Sequence, residues 1–154
     1  MEISNKLFKE AVYLRCLDAV EDRINHAEHA LLQVREASRN ETKSSAGDKY
    51  ETTREMMQQD IDRNSSQLYE AKRILFQLEQ CKDAANSGKV GSGSLVKTSQ
   101  ALLYIAVSVG QLEVHGQLLF AISPASPLGR LLIGKECGDG FVFNGVSQTV
   151  EKIY

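Results

Sequence analysis

The sequence predicts an α+β protein: a long antiparallel α-helical hairpin of coiled-coil character, followed by a small antiparallel β-rich domain with one short helix. Three observations predict it. Up to about Asp83 the chain has no proline and a single glycine, Gly47, and so long a span without breakers is a helix signal. Within that span apolar residues recur at alternating steps of four and three in two separate runs. Beyond a Gly/Ser-rich stretch the pattern changes to period two, with β-branched and aromatic residues that suit strands.

The first run is Tyr13, Leu17, Val20, Ile24, Ala27, Leu31 and Val34, with Ile3 and Leu7 extending it towards the start. The spacing keeps one apolar seam along a slightly supercoiled helix. The second run is Met57, Ile61, Asn64, Leu68, Ala71, Leu75 and Leu78. Asn64 is its polar exception. It either penalises wrong registers, as a polar group in an apolar seam does, or sits half exposed. Between the runs lies a polar tip at 39–49, where Ser45 stands three residues before Asp48, a capping-box-like start for the second helix. Amphipathic helices joined by a short polar connection are expected to pack antiparallel. The predicted hairpin spans residues 1–85, and arms near 35 residues place its tip about 50 Å from its base.

Residues 86–94 read as a flexible Gly/Ser linker. The small domain is then 95–154. Its expected strands are Leu95 to Thr98, Leu103 to Val109, Leu118 to Ile122, Phe141 to Phe143 and Thr149 to Ile153, with turns at Gly110, Gly116 and Asn144-Gly145. Asn-Gly is the strongest short hairpin signal. One helix is expected from about Pro127 to Ile133. Ser126 suits its N-cap, Pro127 its first position and Gly134 a left-handed stop. The expected core is Leu103, Ile105, Val107, Leu119, Leu131, Leu132, Phe141 and Phe143, packed against that helix.

The 154 residues carry a formal net charge of −2. Residues 1–85 hold 16 acids against 13 Lys and Arg, and the remainder 4 against 5. Neither part is basic enough for binding through nucleic-acid phosphates, so no direct sequence-specific nucleic-acid binding is expected. Cys16, Cys81 and Cys137 are an odd number without CxxC pairing, which fits reduced structural thiols and a cytoplasmic setting. The longest apolar stretch, Ala101 to Val107, is far too short to span a bilayer. His26 and His29 share a helical face with spacing three, but no further Cys or His cluster accompanies them, so they read as surface residues. His115 falls at a turn.

The run Ser126-Pro127-Leu128-Gly129-Arg130-Leu131-Leu132-Ile133-Gly134-Lys135-Glu136-Cys137-Gly138-Asp139 resembles the C-terminal domain of the bacterial Gre transcription elongation factors. There a similar Ser-Pro-aliphatic-x-Arg-x-Leu-Ile-Gly-Lys-x-x-Gly-Asp run follows a helical hairpin. Tyr50-Glu51-Thr52-Thr53-Arg54-Glu55 is similar to that family's tyrosine and Arg-Glu run after the tip. The likeness implies an FKBP-like C-terminal domain and a partner, bacterial RNA polymerase, whose secondary channel receives the hairpin. It implies no stably bound cofactor, only Mg²⁺ shared with the polymerase active centre. Hard cations take carboxylate oxygens, and a second metal activates an attacking water.

By match, the tip candidates for that Mg²⁺-assisted role are Glu41, Asp48 and Glu51, with Glu41 and Asp48 as the metal-facing pair. Where the family has a second acid three residues after the first, this chain has Ser44, a poor Mg²⁺ ligand. Weak or absent transcript cleavage is therefore expected, with channel binding retained. The polymerase-binding loop would be Ser123 to Pro127, with Ser123, Ser126 and Pro127 as its contacts. Ala125 stands where the family tends to have Asn or Asp. Helix capping by Ser126-Pro127 and partner contact are compatible readings.

The chain is thus expected not to be an enzyme in its own right, and to be a monomer. The alternative is a structural or chaperone-like coiled-coil protein. Prefoldin-like assembly places its strands between the helices, whereas here they all follow the second. A prolyl isomerase would need an aromatic-lined pocket, and the domain has no Trp. A condensing enzyme would need a longer chain and a Cys paired with His or Asn. No Gly-rich phosphate loop is present.

Overall fold

A computed structural model of the chain describes residues 2–44 and 48–154, and the side chains of 4–40 and 51–154. The fold is α+β. The helices are α1 (Glu2–Ser44) and α2 (Asp48–Glu79), an antiparallel hairpin, and α3 (Pro127–Leu132). The strands are β1 (Leu95–Thr98), β2 (Leu102–Ile105), β3 (Gly110–Val114), β4 (Gln117–Ile122), β5 (Gly140–Phe143) and β6 (Val146–Ile153). The contacts divide the chain into two units, Met1–Ala19 with Leu75–Tyr154, and Val20–Ile74.

The unit Val20–Ile74 is helical and follows the four–three spacing. Val20, Ala27, Leu31 and Ala71 are buried, and Ile24, Val34, Met57, Ile61, Asn64 and Leu68 are half-buried. The residues between them are mostly solvated, Leu32, Met56 and Tyr69 included. Asn64 donates its amide to the carbonyl of Asp60, 2.8 Å away on its own helix. Its polarity is met by a local bond to the turn before it, the i−4 pattern open to short polar side chains. Arg63 with Asp60 and Arg73 with Glu70 form exposed ion pairs one turn apart, a kind of pair that adds little to stability because water screens it.

In the other unit a six-stranded sheet runs in the order β3-β4-β2-β1-β6-β5. It is mixed rather than purely antiparallel, because β2 pairs with β4 in parallel, Leu103 opposite Phe120. The expected strand from Leu103 to Val109 ends at Ile105, and β3 forms an unexpected strand beyond it. The chain leaves the sheet at Ala106, turns at Gly110, and lays β3 on the outer edge. The hairpin return as β4 then fills the gap beside β2. His115 and Gly116, and again Asn144 and Gly145, both have positive φ, as a two-residue type I′ hairpin turn requires.

Both faces of the central strands are covered. Val96, Leu103, Ile105, Leu132, Phe141, Val150 and Ile153 form one buried cluster, with Leu128 and Phe143 packed against it. Leu131 was expected there, but it lies on the outer side of α3 and is exposed. On the other side Leu95 and Tyr104 are buried, in the same unit as Val12, Cys16 and Leu78 of the helices. Burial raises the Tyr104 hydroxyl pKa, and the neighbouring Cys81, Cys16 and Tyr13 raise it further. Near its start α1 buries Val12, Cys16 and Val20 together with the seam residue Tyr13, while Leu7 is exposed. The extension of the seam through Leu7 therefore fails, because this part of α1 turns Val12 and Cys16 inward. Ile3 lies outside the described side chains.

The stretch 86–94, expected as a flexible linker, is hydrogen-bonded into the domain. Val90 is buried, its N–H donating to Lys135 and its carbonyl accepting from Gly134. Gly93 donates to Ile105, and the Ser94 hydroxyl accepts from Gly91. A Cβ on Gly93 would fall 2.4 Å from that of Ala84. Its glycine therefore serves close approach as well as a positive φ of 87°.

Candidate partner-binding site

The polymerase-binding candidates converge on the segment joining β4 to α3. Ser126 is the N-cap of α3, extended at φ −65°, ψ 158°, with Pro127 as the first helical residue. Its hydroxyl accepts from the Gly129 N–H at 3.1 Å and donates to the Ser123 carbonyl at 2.6 Å. The Ser126 N–H donates to that same carbonyl at 3.0 Å. The Ser123 hydroxyl accepts from the Ala125 N–H at 3.1 Å. Both serine hydroxyls are thus engaged in shaping the loop, and the residues it leaves exposed are Ala125 and Pro127.

Sequence reasoning missed Gly129, on which this arrangement depends. Gly129 is buried, and a Cβ there would lie 2.2 Å from the Ser123 carbonyl oxygen and 3.0 Å from Pro124 backbone atoms. The loop can fold back on the first turn of α3 only over a residue without a side chain. A usable signal was present: a glycine inside a short helix costs about 1 kcal/mol against alanine and implies a packing reason. At the other end Ile133 donates to the Gly129 carbonyl, and Gly134, at φ +84°, donates to Val90. The predicted left-handed stop is therefore also an anchor.

A cleft of about 300 Å³ adjoins the loop, lined in part by Phe76, Gln77, Gln80, Ser123, Pro124 and Ala125. Phe76 is 62% exposed, and no charged side chain lines the cleft. This uncharged surface also went unread, because Phe76 falls outside the α2 seam.

The tip candidates stand apart from this loop in sequence. Glu41 falls in the last turn of α1 and Asp48 opens α2, but their side chains, with Ser44 and Ser45, lie outside the described residues. Glu51 is an exposed residue of the first turn of α2. Among the described residues no group of three or more His, Cys, Asp or Glu is placed to hold a metal ion. One exposed carboxylate does not make a resident Mg²⁺ site, since such sites combine several oxygen ligands. His26 and His29 are exposed, and a ring nitrogen of His29 lies 3.1 Å from the Gln33 amide.

The thiols divide by burial. Burial pushes the Cys16 thiol up to about 12 and also raises Cys81, which donates to the Gln77 carbonyl at 3.4 Å. Cys137 is exposed. No described helix is long and apolar enough to cross a membrane. No protein-family model matches the chain, and no curated protein matches it.

Proposed function

We propose that the chain is a bacterial RNA-polymerase-binding transcription factor of Gre type, acting in the cytoplasm as a monomer. The observation that carries this reading is the Ser126-Pro127 capped helix, locked to its loop through Gly129 and preceded in the chain by a seam-matched helical hairpin. The loop offers the partner a rigid turn bearing Ala125 and Pro127, beside the exposed ring of Phe76. The tip enters the polymerase secondary channel and modulates elongation.

Its carboxylates, Glu41, Asp48 and Glu51, are the residues that would meet Mg²⁺ belonging to the polymerase, where the metal's contribution is to activate water. Ser44 in place of an acid leaves that role weak. The protein therefore acts mainly by occupying the channel, blocking nucleotide entry or altering pausing. The chain itself is not an enzyme on this reading.

The test is co-migration of the purified chain with bacterial core RNA polymerase, followed by incubation with stalled elongation complexes. Stoichiometric binding with little RNA cleavage is expected. No enrichment on polymerase would end the reading. Strong Mg²⁺-dependent cleavage lost on Glu41→Ala would overturn the account of Ser44.

A further inference from the structure

The sheet has an open edge at β3. This strand pairs with β4 alone, in unbroken register from Gly110 opposite Ala121 to Val114 opposite Gln117. The two-residue turn at His115 and Gly116 makes Val114 and Gln117 a hydrogen-bonded pair, and such pairs alternate along an antiparallel ladder. Val114, Leu112 and Gly110 therefore bond to β4, and the N–H and C=O groups of Gln111 and Glu113 point away from the sheet. The far side of β4 agrees with this phase, since the Ile122 carbonyl accepts from the Ala106 N–H beyond β2. No other described segment hydrogen-bonds to the outward groups of Gln111 and Glu113.

Natural sheets blunt an edge with a bulge, a lysine, a proline or a covering element. β3 has no bulge, lysine or proline. Gln111 and Glu113 are exposed. So are Phe120 and Leu118, which lie opposite them on the same face of the sheet. Glu113 joins no ion pair among the described residues, where the pairs are Arg63–Asp60, Arg73–Glu70, Lys89–Glu136 and Lys97–Glu151.

We infer that β3 pairs antiparallel with β3 of a second copy, about a two-fold axis at Leu112. The side chains select both the occupant and the register. With Leu112 on the axis, Gln111 of each copy faces Glu113 of the other. An amide donor then meets a carboxylate, a charge-assisted bond that the symmetry makes twice. Each facing pair also exchanges two backbone bonds, giving about four in all. Moving the axis to Glu113 sets carboxylate against carboxylate, which is destabilising. Moving it to Gln111 sets Glu113 against Val109, outside the strand and before the turn at Gly110, whose φ is +91°. One register alone therefore uses the outward groups of both residues without opposing like charges. Edges of five residues cover far less than the roughly 1,200 Å² at which stable interfaces begin. The pairing is accordingly weak, with Kd on the order of 0.1 mM, and the dilute chain stays monomeric. The inference does not rest on the polymerase reading, which concerns the monomer.

The test is sedimentation equilibrium of the full chain between about 10 μM and 1 mM, with amide hydrogen exchange at both ends of that range. A reversible monomer–dimer equilibrium is expected, and exchange at Gln111 and Glu113 should slow as concentration rises. Two substitutions at one exposed position should act in opposite directions. Gln111→Glu opposes carboxylates across both pairs and should weaken the dimer about fivefold, whereas Gln111→Lys should tighten it about fivefold. Circular dichroism checks that each variant keeps the parent fold. A chain still monomeric at the highest concentration would overturn the inference. So would a dimer whose Kd does not move in opposite directions in the two variants, or one that leaves exchange at Gln111 and Glu113 unchanged.

Discussion

Gly129→Ala separates two arguments that predict opposite signs. By helix propensity alone, alanine in place of a helical glycine stabilises by about 1 kcal/mol. In the structure the added methyl carbon would stand 2.2 Å from the Ser123 carbonyl oxygen. Restoring ordinary contact means moving that carbonyl by roughly 1 Å or more. The same oxygen accepts from the Ser126 hydroxyl and N–H, at 2.6 and 3.0 Å, so the cap is disturbed as well. Overpacking of this kind costs about 1–3 kcal/mol and a lost cap about 1 kcal/mol. Offset by the gain in propensity, the net loss is about 1–3 kcal/mol. For a chain of this size, that lowers Tm by roughly 2–12 °C. Urea and thermal unfolding followed by circular dichroism measure it. A variant as stable as the parent, or more stable, would refute the close-packed loop.

Ser126→Ala removes the hydroxyl that accepts from Gly129, and should cost about 1 kcal/mol in urea unfolding; a change under a few tenths would mean that the cap contributes little. In the native chain Ellman's reagent should modify Cys137 rapidly, and Cys16 and Cys81 only on unfolding, because the thiolate is the reactive form and burial disfavours it. Rapid reaction of all three thiols would contradict the packing around Cys16. Stability should also fall with alkali. Between the ordinary thiol value of 9.0 and about 12 for Cys16, the unfolded chain has released a proton that the native chain retains. Unfolding free energy then drops by at most about 1.4 kcal/mol per pH unit from this group. Below pH 9 it contributes no slope. Cys16→Ala should flatten the fall in part, Cys81 and Tyr104 keeping the rest, since their native values are also raised. A slope unchanged by that substitution would be the contrary result.

The periodic parts of the fold were legible in the sequence, and the parts that depend on tertiary approach were not. The seam residues from Val20 to Val34 and from Met57 to Leu78 are all at least half-buried, because a four–three repeat directly encodes which helix face is hidden. Ser126, Pro127 and Gly134 were readable because caps are local chemistry. Asn144-Gly145 was readable for the same reason. Strand β3 was missed because Leu103 to Val109 is continuously apolar, and periodicity cannot say where such a run leaves the sheet. The Gly/Ser stretch at 86–94 looked like a linker by composition, but Val90 and Gly93 find partners distant in sequence. Leu7 looked like seam and is solvated, since the buried stripe at that end of α1 runs through Val12 and Cys16. Of the candidate site, the cap was visible and the dependence on Gly129 was not.

The most direct measurement of the central claim is photo-crosslinking from a benzophenone side chain introduced at Glu51, an exposed position in the first turn of α2. With bacterial core RNA polymerase, a crosslink to peptides of the catalytic subunits that line the secondary channel is expected, competed away by the unmodified chain. No crosslink, or crosslinks confined to the outer surface of the polymerase, would contradict it.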